Sequence, residues 1–273
     1  MYKLLCTDMD GTLLNSEGKI SEKNLKYIKM AHDKGVKVTI CTGRIYTSAS
    51  YFADLIGVQV PVIAANGAYI REKDRDEVIY KSVLGYENCK KVLKVLKKYE
   101  INPHFNSPSV IFTGKISHAS ANYEKANKIL PKDKQIDIRV VENWEEIFIQ
   151  YEDDILKCIC IDDDIKKLFK AKEELLQQEG LEVVSSNYNN FEVMCKGVSK
   201  GKAVEILAGY YNIKKEDIIC IGDNENDISM IKYAGLGVAM ENGESFVKNA
   251  ADYITKSNNE DGVAKVIEKF IIS

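Results

Sequence analysis

Four times in this chain a short apolar run stops abruptly on polar residues and glycine. Lys3-Leu4-Leu5-Cys6 runs into Thr7-Asp8-Met9-Asp10-Gly11-Thr12, and Val36 to Cys41 ends at Thr42-Gly43-Arg44. Pro61 to Ala65 ends at Asn66-Gly67, and Ile218 to Ile221 ends at Gly222-Asp223-Asn224-Glu225-Asn226-Asp227. Runs this short and this apolar read as buried strands. Between the first two, Ile20, Leu25, Ile28 and Ala31 recur near helical spacing, with Ser21 placed to cap the helix and Gly35 to stop it. Strand, helix, strand makes a βαβ unit with a right-handed crossover. Open parallel sheets hold their ligands at the carboxyl ends of the strands, where all four polar stops fall. Asp8, at the first stop, is the expected centre of the chemistry.

The 273 residues, 45% hydrophobic and 29% charged, describe an ordinary globular chain and exclude disorder and collagen. Net charge is only −3, with lysine and arginine spread along the sequence, so neither nucleic acid nor an anionic membrane surface is an expected partner. No stretch approaches the roughly 18 apolar residues of a membrane span, and the N-terminus reaches Asp8 before a signal-peptide core could form. A cytoplasmic protein is expected. The seven cysteines are an odd number and several lie inside strand-like runs, which favours reduced, buried thiols. Cys158-Ile159-Cys160 has the wrong spacing for a Cys-x-x-Cys pair, and strand alternation places both thiols on one face.

Tyr69 to Arg71 and Val78 to Lys81 read as a hairpin turning around Asp74-Arg75-Asp76, a natural sheet edge. From about Leu84 the texture changes. A basic amphipathic helix (Tyr86 to Tyr99) precedes short strands near His104 and Val110 to Phe112, a helix near Ala119 to Ile129, and a strand near Ile136 to Val141. An acidic segment about Trp144 then leads to a strand at Leu156 to Ile161, a helix from Ile165 to Gln178, and paired strands flanking Asn187-Tyr188-Asn189-Asn190. This is an α+β module inserted between residues 84 and 195. After Gly197 the α/β rhythm resumes, so residues 1–83 and 196–273 are expected to share one mainly parallel sheet.

The motifs differ in how much they say alone. Asp8 and Asp10 could be no more than an acid-rich strand end, but Gly11 allows a tight turn and Thr12 adds a hydroxyl beside the carboxylates. Thr42-Gly43 reads equally as a helix N-cap or as a phosphate cradle. Three acids and two amides within Gly222 to Asp227 follow a buried strand directly, where a magnesium site with one or two carboxylates would lie; Ile228 excludes an EF-hand, which needs glycine there. Lys200 alone would be surface, Asp162-Asp163-Asp164 reads as helix capping, and His32, His104 and His118 form no spaced set. No phosphate-binding Gly-x-x-x-x-Gly-Lys loop, no Gly-x-Gly-x-x-Gly after a strand, and no cysteine followed six positions later by arginine is present.

Taken in order, Asp8-Met9-Asp10-Gly11-Thr12, Thr42-Gly43, Lys200, and Gly222-Asp223 with Asn226-Asp227 resemble the four motifs of the haloacid dehalogenase (HAD) superfamily. Asn66-Gly67, Ile228 to Ala234, Gly237-Val238-Ala239-Met240-Glu241-Asn242 and Thr255-Lys256-Ser257-Asn258 resemble its Cof-type sugar-phosphatase branch. The likeness runs over nearly the whole chain and is loosest between about 100 and 185.

That resemblance implies an α/β, Rossmann-like core with a large inserted α+β cap domain, and magnesium-dependent hydrolysis of small phosphate monoesters through an aspartyl-phosphate. By the same likeness Asp8 is the nucleophile and Asp10 the general acid and base, and Mg2+ is held by Asp8, the Asp10 main-chain carbonyl and Asp223. Lys200 would balance charge, while Thr42 and backbone amides near Met9 and Gly43 would hold phosphate oxygens, with Asn226 and Asp227 in orienting roles. Asn187, Asn189 and Asn190 are the cap candidates for substrate contact. Sugar phosphates lead among substrates, with flavin mononucleotide or pyridoxal phosphate, a phosphomutase, and a non-catalytic sugar-phosphate sensor as alternatives. A phospho-receiver module, from a different functional class, is disfavoured by the chain's length and by an acceptor after the first strand.

Overall fold

A computed structural model describes residues 1–73, 75 and 77–273. The chain divides into two compact units: Met1–Arg44, Ala49–Tyr80 and Ser199–Ser273 form the first, and Ile45–Ser48 with Lys81–Val198 the second. The opening elements are β1 (Leu4–Thr7), α1 (Glu22–Asp33), β2 (Lys37–Cys41), α2 (Tyr46–Ile56), β3 (Pro61–Ala64), β4 (Tyr69–Glu72) and β5 (Val78–Lys81). The inserted stretch holds α3 (Tyr86–Lys98), β6 (Pro103–Asn106), β7 (Val110–Thr113), α4 (His118–Asn127), β8 (Asp137–Val140), α5 (Trp144–Gln150), β9 (Lys157–Ile161), α6 (Ile165–Leu176), β10 (Leu181–Val184) and β11 (Asn190–Cys195). The chain closes with α7 (Lys200–Tyr210), β12 (Ile218–Gly222), α8 (Ile228–Tyr233), β13 (Leu236–Ala239), α9 (Ser245–Lys248), β14 (Tyr253–Ile254) and α10 (Gly262–Ile267).

The first unit is built on an eight-stranded sheet in the order β14-β13-β12-β1-β2-β3-β4-β5. The pairs from β14 to β3 are parallel, and β4 turns antiparallel onto β3. Leu4 pairs with Lys37 on one side and Ile218 on the other, so the two ends of the chain meet in one sheet. The central strands β1, β3, β12 and β13 are buried along their whole length because both faces are covered. On one face Leu4, Cys6, Cys41, Ile63, Ile218 and Cys220 pack against Ala203, Val204, Leu207 and Ala208 of α7 and Met230 of α8. Alternation turns Leu5, Val38 and Ile219, all fully buried, the other way, and α1 packs on β2 and α10. Ser21 caps α1 by accepting the Asn24 N–H at 3.0 Å. The β4–β5 hairpin forms the sheet edge; Asp74 and Asp76, in its expected turn, lie outside the described residues.

The second unit carries a six-stranded sheet, β10-β11-β9-β6-β7-β8, antiparallel except between β7 and β8. Its core joins Phe105, Phe112, Cys158, Cys160, Phe191 and Val193 to Val92 and Leu96 of α3 and Leu168, Ala171 and Leu175 of α6. The thiols of Cys158 and Cys160 lie 3.9 Å apart within it. Asp164 caps α6 through the N–H groups of Lys166 and Lys167, as the acidic triple suggests. One expectation is corrected here. The segment about Trp144, read simply as acidic, is the helix α5: Asn143 caps it, Glu145 and Glu146 fall in a first turn where negative charge is favourable, and Trp144 and Phe148, four apart, reach the core together.

Candidate active site

The carboxyl ends of β1 and β12 are drawn together by hydrogen bonds that outlast the strands. Asp8 donates its N–H to the Ile221 carbonyl at 2.9 Å, which holds its side chain in the buried gap beyond β1. The chain then turns sharply, with Thr12 and Leu14 N–H groups both returning to the Met9 carbonyl. Gly11 makes this possible: its φ is +80°, and a Cβ there would lie 2.5 Å from Asp223 Oδ2. The close approach lets the Thr12 hydroxyl donate to Asp223 Oδ1 at 2.7 Å.

Lys200 arrives from far along the chain. It is the first residue of α7, which Ser199 caps through the Lys202 N–H at 3.1 Å. Its fully buried side chain places Nζ 2.5 Å from Asp8 Oδ1 and 2.6 Å from Asp227 Oδ1. The second oxygen of Asp227 accepts the N–H groups of Asp223 and Asn224 at 2.9 and 3.0 Å. Asp227 is thereby fixed at both ends, and it fixes the lysine.

The electrostatics follow from three buried or half-buried carboxylates around one ammonium. Burial pushes Asp8 well above the usual carboxylate range, Lys200 opposes this, and Asp227, Asp223 and Asp10 add to it. Burial works against the Lys200 charge, but Asp227 and Asp8 overcome it and hold the ammonium protonated well above its ordinary range. Asp223 is pushed up to about 7, by burial first and then by Asp227, against the Thr12 hydrogen bond and Lys200.

One lysine leaves this cluster short of positive charge, and the donor set fits a divalent cation. Single carboxylate oxygens of Asp8, Asp223 and Asp227 lie within 4.8 Å of one another. Both Asp227 oxygens are engaged by Lys200 and backbone N–H groups. The Oδ2 atoms of Asp8 and Asp223 are the less committed donors, and hard carboxylate oxygens suit a hard cation.

β2 and β3 supply the next wall. Thr42, almost wholly buried, accepts the Arg44 N–H on its hydroxyl oxygen at 3.1 Å, and the hydroxyl proton is not used in that contact. Gly43 lies beside it, partly exposed. Beyond β3, Ala65, Asn66 and Gly67 have φ values of +50°, +55° and +100°. Ala65 and Asn66, two successive non-glycine residues in the left-handed region, store strain, which concentrates at functional sites, while Gly67 takes its angle freely. The turn that results is fixed on every side: Ala65 N–H reaches the Arg44 carbonyl at 2.9 Å, Asn66 N–H reaches the Thr42 carbonyl at 3.0 Å, and Asn226 Nδ2 donates to Asn66 Oδ1 at 3.0 Å. Gly67 lies against the start of α7, where a Cβ would come within 2.4 Å of the Ser199 carbonyl oxygen.

Asp8, Thr42, Lys200, Asp223, Asn226 and Asp227 are thus linked by hydrogen bonds and strand ends within the first unit. Met9 contributes backbone, its side chain being buried. Sequence reasoning missed the grip of Arg44 on Asp10, at 2.8 Å from Nε to Oδ2 and 2.5 Å from Nη2 to Oδ1. The polar stop at Asn66-Gly67 was the available signal for the strained turn. Asn187, Asn189 and Asn190 belong to the second unit, where they close the β10–β11 turn. Asn190 Oδ1 accepts from the N–H groups of Ser186 and Asn187, Asn187 Oδ1 accepts from Tyr188 N–H, and the Asn189 carbonyl accepts from Asp162 N–H.

Known proteins share this architecture end to end. The haloacid dehalogenase-like hydrolase family matches residues 5–267. A 5-amino-6-(5-phospho-D-ribitylamino)uracil phosphatase of Bacillus subtilis, YwtE, is 34% identical over 98% of this chain and 98% of its own. A haloacid dehalogenase-like hydrolase from B. subtilis has a similar solved structure (TM-score 0.87, 28% identity, 98% of this chain and 100% of that one). So does BT4131, a HAD subclass IIB sugar phosphatase (TM-score 0.81, 28% identity, 99% and 100%). With its eight-stranded α/β core, its inserted α+β unit and its Asp8–Lys200–Asp227 cluster, the chain belongs to the haloacid dehalogenase-like hydrolases.

Proposed function

We propose that this chain hydrolyses small phosphate monoesters, sugar phosphates foremost, through an aspartyl-phosphate on Asp8. The observation that carries the reading is the buried Lys200 ammonium shared between Asp8 and Asp227, with Asp223 alongside. Lys200 engages Asp8 Oδ1 and so holds the carboxylate in place for attack on phosphorus. As the bond from Asp8 to phosphorus forms, the bond to the ester oxygen breaks, and Asp10 delivers its proton to that leaving oxygen. Asp10 then takes a proton from water as the water attacks phosphorus, which releases inorganic phosphate and restores both carboxyl groups. Lys200, the Thr42 hydroxyl and backbone N–H groups at Met9 and Gly43 hold the transferring phosphoryl oxygens. Asn226 and Asp227 act on position, Asp227 by fixing Lys200.

Asp8, Asp223 and the Asp10 main-chain carbonyl are the residues that would hold Mg2+. Bound there, the ion would neutralise charge that otherwise repels a dianionic ester. Residues 1–83 and 196–273 do the chemistry on this reading, and the cap, 84–195, selects the leaving group. A cytoplasmic setting with no nucleic-acid partner is supported by seven free cysteines, six of them buried, and by the balanced charge. Among the described residues no helix is long and apolar enough to cross a membrane.

A second substrate reading has specific support: YwtE and two further B. subtilis relatives, 32% and 29% identical, carry the name 5-amino-6-(5-phospho-D-ribitylamino)uracil phosphatase. That compound and the sugar phosphates share a phosphate ester on a polyhydroxylated carbon chain. A panel of phosphate metabolites that includes both, flavin mononucleotide and pyridoxal phosphate, ranked by kcat/KM, decides among them. Steady phosphate release that EDTA abolishes is expected. Isomerised sugar phosphate without phosphate release would indicate a mutase, and binding without turnover a sensor.

A further inference from the structure

Asp10 differs from the other carboxylates of the site. Its side chain is 57% exposed, and among the described residues Arg44 is the side chain that pairs with it. An exposed aspartate on a turn samples several rotamers, yet general acid catalysis requires this one within hydrogen-bond reach of the leaving oxygen. Something must hold it.

Arg44 is built to do so. Its N–H is anchored on the Thr42 hydroxyl at 3.1 Å and its carbonyl accepts the Ala65 N–H at 2.9 Å, so its backbone is tied to β2 and to the strained turn after β3. Its guanidinium carbon stands 4.9 Å from the centre of the Phe52 ring on α2. From that stacked position two N–H groups meet both oxygens of Asp10. A planar fork that stacks with one face and binds a carboxylate along one edge is a property of arginine that lysine lacks.

We propose that Arg44 is the positioning residue of the general acid and base: stacked on Phe52, it sets the rotamer of Asp10, and one N–H of its fork yields an oxygen to the proton that Asp10 then carries to the leaving oxygen. This rests on the Asp10 role given above. Arg44 acts through Asp10, so its removal affects proton transfer and not phosphoryl binding.

The test compares two aryl esters with the same charge, p-nitrophenyl phosphate and phenyl phosphate, in the full chain with Mg2+. The p-nitrophenolate ion leaves readily without a proton, whereas phenolate needs one. For Arg44→Gln, kcat on phenyl phosphate should fall about tenfold further than kcat on p-nitrophenyl phosphate, within the range ascribed to general acids. KM for both should change by less than about threefold. Arg44→Lys should show the same selective loss, because charge without the fork does not restore the grip, and Phe52→Leu should show it more weakly. Equal losses on the two esters, a change confined to KM, or a wild-type ester ratio in Arg44→Lys would each overturn the proposal. A wild-type enzyme that releases phosphate from neither ester and from no member of the metabolite panel would instead overturn the phosphatase reading on which it rests.

Discussion

Lys200 is held as closely by Asp227, 2.6 Å away, as by Asp8 at 2.5 Å, so the residue expected to steady the phosphoryl group is itself steadied from behind. All three side chains are buried. Removing one partner of a buried ion pair leaves an uncompensated charge, and Asp227→Asn should cost about 3 kcal/mol of stability. It should also draw Lys200 onto Asp8 alone and dull the nucleophile. The expected result is at least a tenfold fall in kcat with little change in KM, measured by steady-state phosphate release beside a urea unfolding curve. An unchanged kcat would separate Asp227 from the chemistry.

Asp223 crowds against Asp8 and Asp227 with a single lysine to offset the three. Metal-free protein should therefore gain stability when Mg2+ is added, by about 2.7 kcal/mol at a hundredfold excess over Kd. Asp223→Asn should melt higher than wild type without metal, since one repelling carboxylate is gone, and should lose most of its response to Mg2+. A variant whose Tm rises with Mg2+ as much as wild type would place the ion elsewhere.

Gly67 joins the strained turn to the start of α7. Gly67→Ala meets two obstacles, a φ of +100° and a Ser199 carbonyl oxygen 2.4 Å from the new Cβ. The backbone of α7 must shift, and Lys200 is its first residue. A stability loss of about 1–3 kcal/mol together with reduced kcat is expected; lost stability with wild-type kcat would show that the turn does not position Lys200.

His104 provides a pH test within the second unit. Burial pushes its pKa down to about 4, and its Nε2 faces the Ser117 carbonyl oxygen at 3.0 Å. The unfolded imidazole titrates near 6.5, so between about 6.5 and 4 the unfolded chain binds a proton that the folded chain refuses. Stability contributed by the neutral ring is complete above about 6.5 and declines as pH falls through this window, by about 3 kcal/mol in total. Urea midpoints at pH 7 and pH 4.5 should therefore differ less for His104→Gln than for wild type. Identical pH dependence would show that His104 does not control it.

What the sequence discloses and what it hides have separate physical causes. Asp8, Thr42 and Asp223 are legible because an apolar run ending in polar residues can be read locally, and a parallel sheet gathers such ends on one edge. Lys200 carries almost no local signal; its importance comes from ordered motifs, and its burial between two acids emerges only when α7 docks beside β1 and β12. Helix α5 is too short to show several turns of periodicity, and its glutamates mask the Trp144 and Phe148 pair. The Arg44–Asp10 grip joins residues 34 positions apart through rotamers that Phe52 and the strained turn decide, which no periodicity encodes.

The central claim is that Asp8 becomes covalently phosphorylated. Enzyme mixed with Mg2+ and a radiolabelled phosphate ester, quenched in acid within one turnover and digested, should carry the label on the peptide containing Asp8, and Asp8→Asn should carry none. Phosphate release at the full rate with no labelled protein at any time, or label on a peptide lacking Asp8, would contradict the account.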